Sequence, residues 1–155
     1  MPEVKETSHL KDRWREAEAQ KISGNQLALL RYRSNLLGAD LRITNFGGGN
    51  TSSKLELPDP FTGRPLRVLA IKGSGGDLGS ITEAGFALLY LDRLEQLKQL
   101  CGGEAFEDEM VRYYPLSAFG ENRVAASIDT PQHAFLPFST ARCLGGLSFA
   151  LRGRC

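Results

Sequence analysis

Cysteine is scarce in this chain, and what little there is does not pair. The three residues, Cys101, Cys143 and Cys155, are odd in number and form no C-x-x-C motif, which argues against a disulfide framework and against a Cys-rich zinc site. Histidine is scarcer, with only His9 and His133 among 155 residues. No apolar run approaches the ~18 residues of a membrane span, and residues 1–21 lack the apolar h-region of a signal peptide. A cytoplasmic protein without a membrane partner is expected. Charge of one sign is lacking too: 19 Lys and Arg stand against 18 Asp and Glu, so there is no strongly basic face for nucleic acid. With 41% apolar side chains and roughly 70% of the unfolded surface available for burial at this length, one ordinary globular domain without staples is expected. Glycine is the residue in excess, with 17 copies, and they come in clusters.

Hydrophobic periodicity places the elements. Leu10, Trp14 and Ala17 mark a short amphipathic surface helix over residues 8–21. Ser23 and Gln26 form a capping-box pattern ahead of Leu27, Leu30, Ser34 and Leu37, a second helix stopped by Gly38. The period then changes to two, predicting strands at residues 41–44 and 53–57 joined by Gly47-Gly48-Gly49-Asn50. Residues 58–65 read as a Pro/Gly turn, and residues 66–72 as a strand running into Gly73-Ser74-Gly75-Gly76-Asp77-Leu78-Gly79. A helix capped by Thr82 is predicted next, with Leu88, Leu91 and Leu94 on one face and Gly102-Gly103 at its end. A short acidic helix over residues 104–113 and a helix opened by Thr130-Pro131 follow. Interleaved helices and strands imply an α/β layered sandwich around a mixed sheet.

Three clusters carry chemistry. The loop from Gly73 to Gly79 stands between a strand and a predicted helix, where glycines let the backbone approach an anion and a helix N-terminus offers N–H groups. The alternative is a tight turn with no ligand. A dinucleotide fold would need an acidic residue ending a second strand about 20 residues on, but that distance falls at Asp92 and Glu95, inside the predicted helix. A Walker loop would need Gly-Lys-Ser/Thr, which is absent. Gly47-Gly48-Gly49-Asn50-Thr51-Ser52-Ser53-Lys54 is a second glycine turn, followed by side chains able to bind oxygen-rich ligands. Both turns stand at strand ends, where they can converge on one anion. In Ser127-Ile128-Asp129-Thr130-Pro131-Gln132-His133, Asp129 and Thr130 read first as helix caps, and a carboxylate beside a phosphate pocket reads alternatively as an acid or base. His133 reads as a packing or hydrogen-bonding residue before it reads as a metal ligand.

These clusters in this order, with Arg31-Tyr32-Arg33-Ser34-Asn35-Leu36-Leu37-Gly38, Lys72 ahead of the second loop, Asp108-Glu109-Met110 and the run from Ala126 to Phe138, resemble the class II aldolase/adducin family. The resemblance is closest to the N-terminal aldolase half of bifunctional rhamnulose-1-phosphate aldolase/short-chain alcohol dehydrogenases, and it covers residues 8–138. It implies a three-layer α/β/α sandwich and zinc-dependent cleavage of rhamnulose 1-phosphate to dihydroxyacetone phosphate and lactaldehyde. It also implies a homo-oligomer and places Asn50, Ser74, Gly75 and Ser127 on the phosphate, with Asp129 as the acid/base carboxylate where relatives commonly carry Glu.

The family's zinc-binding His-x-His is expected directly after Pro137-Phe138, and the sequence there reads Ser139-Thr140-Ala141-Arg142-Cys143. The expectations are therefore a fold incomplete at its C-terminus, a non-family tail over residues 139–155 resembling a wrong reading frame, no metal ligands, and an inactive aldolase domain. The alternative is a non-catalytic adducin-like association domain. A nicotinamide-dependent dehydrogenase is disfavoured by the missing acidic residue.

Overall fold

The computed structural model describes residues 12–45, 48–100, 110–136, 139–142 and 148–151. Its elements are α1 (Glu16–Lys21), α2 (Gln26–Gly38), β1 (Asn50–Pro58), β2 (Pro65–Lys72), β3 (Phe86–Tyr90), α3 (Leu91–Leu100), α4 (Thr130–Phe135), β4 (Ser139–Arg142) and β5 (Ser148–Leu151), with 3-10 turns at Glu83–Gly85 and Val111–Ser117. The strands form one sheet in the order β3-β2-β1-β4-β5. Every pairing between them is antiparallel, which corrects the expectation of a mixed sheet. Hairpin-length connections join β1 to β2, and such connections permit only antiparallel neighbours.

Period-two alternation decides what each face of the sheet meets. Leu55 and Ala70 pack with Leu30 of α2, Ile81 and Phe86. Leu69, Ile71, Ala87 and Leu89 pack with Leu91, Leu94 and Leu97 of α3, with Met110 and Tyr114, and with Ala134 of α4. Two cores thus form from opposite sides of the same strands, because successive strand residues point to opposite faces. At about 25 cal/mol per Å² of apolar surface, this burial is the main term holding the helices to the sheet.

Several local readings are corrected. The predicted strand at residues 41–44 is a turn: Ile43 N and Thr44 N both donate to Asp40 O, and Arg42 N donates to Asp40 Oδ1 at 3.1 Å. Leu41 is exposed there, so its apparent alternation with Ile43 encodes no buried face. The predicted helix after Thr82 divides into the 3-10 turn, strand β3 and helix α3, and the Thr82 side chain makes no capping bond. Phe86-Ala87-Leu88-Leu89-Tyr90 is a short unbroken apolar run, which periodicity alone does not assign to strand or helix. Pairing with β2, from Val68↔Tyr90 to Lys72↔Phe86, decides it.

Helix α2 starts two residues later than its capping-box pattern implies. Its cap is Asn25, whose side chain accepts from Ala28 N at 3.0 Å, while Ser23 Oγ turns back to Gln20 O. Its stop at Gly38 is as expected. The first helix spans only Glu16–Lys21; residues 8–11 of that expectation lie outside the described residues, as do Gly47, Gly102, Gly103 and 104–109 of the predicted acidic helix. Within the segment expected to stand apart from the fold, β4 pairs with β1 through Asn50↔Arg142 and Thr51↔Ala141, and β5 pairs with β4.

Candidate functional site

The antiparallel hairpin brings the start of β1 and the end of β2 to one sheet edge. Ser52 pairs with Ile71, so the register carried two residues further sets Asn50 level with Gly73. The segment before α4 closes over this edge. Gly73 bridges to Ala126, and Ser74 N donates to Ala125 O at 3.0 Å. One side chain holds that segment down: Asn122 Oδ1 accepts from Leu88 N and Val124 N, and its Nδ2 donates to Phe86 O. An amide side chain substitutes here for a missing strand neighbour of β3.

As a result, Ser127 and Asp129 meet Asn50 from 77 and 79 residues away in sequence. Asn50 Nδ2 donates to Ser127 Oγ at 2.6 Å and to Asp129 Oδ2 at 3.4 Å. Ser127 Oγ also accepts from Asp129 N at 3.2 Å. Asn50 is only 5% exposed, and its Oδ1 has no hydrogen-bond partner among the described residues. Asp129 stands at the N-cap position of α4, as the helix-cap reading expects, but its side chain makes no capping bond. Thr130 is equally occupied, its hydroxyl donating to Ser127 O at 2.5 Å.

The second glycine loop lies beside this trio. Gly75 has φ +81°, a left-handed conformation open to glycine without strain. The loop is exposed from Ser74 to Gly76, with Ser74 and Gly75 at the centre of a turn. The expected helix N-terminus behind the loop is absent, because the chain continues into a 3-10 turn and then β3. Any anion here therefore depends on loop N–H groups and side chains rather than on a helix dipole. The loop's far end is clamped by α2, where Asn35 Nδ2 donates to Leu78 O at 3.2 Å and Ile81 O at 3.1 Å.

Three residues without an assigned role border the site. Lys72, at the root of the loop, is 4% exposed and donates to Gly73 O at 3.3 Å. Burial pushes its pKa down, and the Asp77 carboxylate opposes that shift. Tyr114 is buried against α3 and α4, and its phenol is raised to about 12 by burial and then by the Asp129 charge, so it stays protonated at neutral pH. Asn122 positions the segment, as described above. A lysine directly before a glycine loop was a usable sequence signal for Lys72; nothing local marked the other two.

The zinc implied by the family resemblance can be tested against the donors present. A catalytic zinc takes about three protein ligands, and among the described residues no group of three or more His, Cys, Asp or Glu stands close enough to hold a metal ion. His133 is buried, with Nδ1 2.8 Å from Ser52 Oγ, in a hydrogen bond that ties α4 to β1. The described residues do not fit a catalytic zinc. Among them, no helix is long and apolar enough to cross a membrane.

Comparison with known proteins adds two findings. A solved structure, the N-terminal class II aldolase domain of a conserved protein from Thermoplasma acidophilum, matches 86% of this chain with a TM-score of 0.73 and 30% identity. The fold is that of a class II aldolase domain. The match takes in 60% of the Thermoplasma chain. The Bacillus subtilis (strain 168) protein named "Uncharacterized oxidoreductase YuxG" is 40% identical over 107 residues, 69% of this chain, and the chain spans only 15% of that relative's length. No family model matches.

Proposed function

We propose that this chain is an aldolase-type lyase domain whose described part binds the phosphate of a sugar phosphate at the edge formed by Asn50, Ser74, Gly75 and Ser127, with Asp129 as the acid/base carboxylate. The carrying observation is the meeting of Asn50, Ser127 and Asp129 within hydrogen-bond reach beside an exposed glycine loop. Donors of this kind suit an oxyanion, and a carboxylate beside them suits proton transfer at the carbon next to a carbonyl. The class II aldolase fold supports the reaction class. Rhamnulose 1-phosphate as substrate, the three-layer α/β/α arrangement of the complete domain, a homo-oligomer and zinc in the complete enzyme rest on the sequence resemblance.

The reading predicts binding without turnover for this chain. Calorimetric titration with inorganic phosphate should give a dissociation constant of about a millimolar, roughly −4 kcal/mol, weakened about tenfold by Ser127→Ala. A coupled assay with rhamnulose 1-phosphate and added zinc should stay at background. Zinc-dependent cleavage abolished by Asp129→Ala would overturn the inactive reading. Absence of any anion binding would favour the adducin-like association domain.

A further inference from the structure

We infer that residues 118–126 form a strap that opens and closes over the sheet edge as one unit, and that Asn122 is the positioning residue deciding how often the glycine loop is held in place. The opening needs no ligand; its consequence for binding rests on the phosphate reading. Ser117 and Ser127 are buried, and no residue between them is. Val124 and Ala126 only pack against the rim of the core shared with α3 and α4. Hydrogen bonds rather than apolar burial therefore hold the strap, the condition under which a segment opens at lower free energy than the strands beneath it. Gly120, at φ +56°, supplies the turn near its start.

Two anchors fix the strap, and they sit on different strands. At the edge of β3, Phe119 N donates to Leu88 O at 2.8 Å. There the Asn122 amide also gathers Leu88 N and Val124 N onto one oxygen while donating to Phe86 O. At the end of β2, Val124 fills the space beside Gly73, where an added Cβ would stand 2.5 Å from Val124 Cγ1. Ala125 O accepts from Ser74 N at 3.0 Å, the one hydrogen bond Ser74 makes among the described residues. Val124 belongs to both anchors, its N–H to Asn122 and its side chain to Gly73, so release of one loosens the other. Loss of the Asn122 clasp thus frees Ser74, although the two residues share no bond.

Ser127 directly follows the strap, and Ser74 is tied to the strap two residues before it. An anion spanning the two binds the closed form, so its apparent affinity falls with the closed fraction, and its binding in turn raises that fraction.

The test is amide hydrogen exchange, followed residue by residue on the intact chain with and without inorganic phosphate. In the unaltered chain Ser74, Leu88 and Val124 should exchange through one shared opening, faster than the interior amides of β2. Asn122→Ala should speed all three by roughly a hundredfold, as three lost hydrogen bonds of ordinary strength allow, and leave the β2 interior unchanged. Ser74 is the decisive amide, since it shares no hydrogen bond with Asn122. An unchanged Ser74 in Asn122→Ala would overturn the strap, and so would unrelated openings of the three amides in the unaltered chain, a measurement that stands even if the variant does not fold. Equal acceleration of the β2 interior would make Asn122 a general stabiliser and overturn its positioning role. Saturating phosphate should slow the three amides together, and calorimetry should give about tenfold weaker phosphate binding in Asn122→Ala, as when a tenth of the molecules hold a closed strap. Phosphate bound at the parent's affinity by a variant whose Ser74 amide is freed would overturn the coupling and leave the phosphate site standing. A shared opening without any phosphate binding would uphold the strap and remove the phosphate reading.

Discussion

Gly38→Ala should destabilise the protein, against the ordinary rule for helices. Gly38 is the last residue of α2 and is not in a left-handed conformation. By helix propensity alone, alanine there should gain about 0.5–1 kcal/mol. The added Cβ, however, would stand 2.1 Å from Gly79 N, 2.4 Å from Gly79 Cα and 2.5 Å from Leu78 C. These are backbone atoms of the glycine loop, and no rotamer change moves them aside. Overpacking costs about 1–3 kcal/mol; a clash with backbone atoms this close stands in the upper part of that range, about 2–3 kcal/mol, so with the propensity gain subtracted the net loss should be about 1–2 kcal/mol. For a chain of this size that lowers the melting temperature by about 2–8 °C. Because Asn35 holds the same loop from the same helix, the displacement should reach Ser74 and Gly75 and weaken phosphate binding as well. Gly24→Ala is the control, since a Cβ there meets nothing within 4 Å, and it should melt within a degree or two of the parent. Differential scanning calorimetry of the three proteins decides the matter. A Gly38→Ala protein melting at or above the parent temperature would refute the close approach of α2 to the loop.

Two further outcomes are expected. The Arg42 guanidinium hydrogen-bonds Asp40 at 2.8 and 2.6 Å and holds its carboxyl at about 2, below the unfolded value near 4. The stability this contributes is complete above pH 4 and is lost as pH falls toward 2. Acid unfolding of Asp40→Asn should therefore show a shallower pH dependence in that window and no change in slope near neutrality; an unchanged acid limb would count against the pairing. Lys72→Met replaces a buried ammonium by an apolar side chain of similar volume, which should raise stability by about 1 kcal/mol while weakening phosphate binding about tenfold or more. Thermal melts and phosphate titration read the two effects separately, and a loss of stability would show that Asp77 and Gly73 O already compensate the charge.

Local chemistry was legible wherever a short stretch settles its own structure. The Pro/Gly turn is one case: Asp59 Oδ1 accepts from Phe61 N and Thr62 N, both at 2.8 Å, all within four residues. The alternation of β1, the stop of α2 at Gly38 and the Thr130-Pro131 start of α4 are others. Misreadings occurred where two structures share one pattern. Leu41 and Ile43 alternate like a strand, yet the Asp40 turn provides the backbone bonds locally and leaves no ladder to form. Phe86 to Tyr90 suits a helix and a strand equally, and only the neighbouring edge of β2 chooses between them.

The sequence by itself determined the two polar glycine turns that hold Asn50, Ser74 and Gly75 and the Ser127–Asp129 cluster before the last helix, and the family resemblance assigned these residues to an anion. Only the tertiary structure decided which of these meet. Asn50 reaches Ser127 and Asp129 because the β1–β2 register and the Asn122 clasp fold distant segments onto one edge. It also decided that the glycine loop has no helix behind it, and that Lys72 is buried beside it. The physical reason is that periodicity and turn chemistry act over a few residues, whereas pairing across the chain is selected by which apolar faces can be buried together.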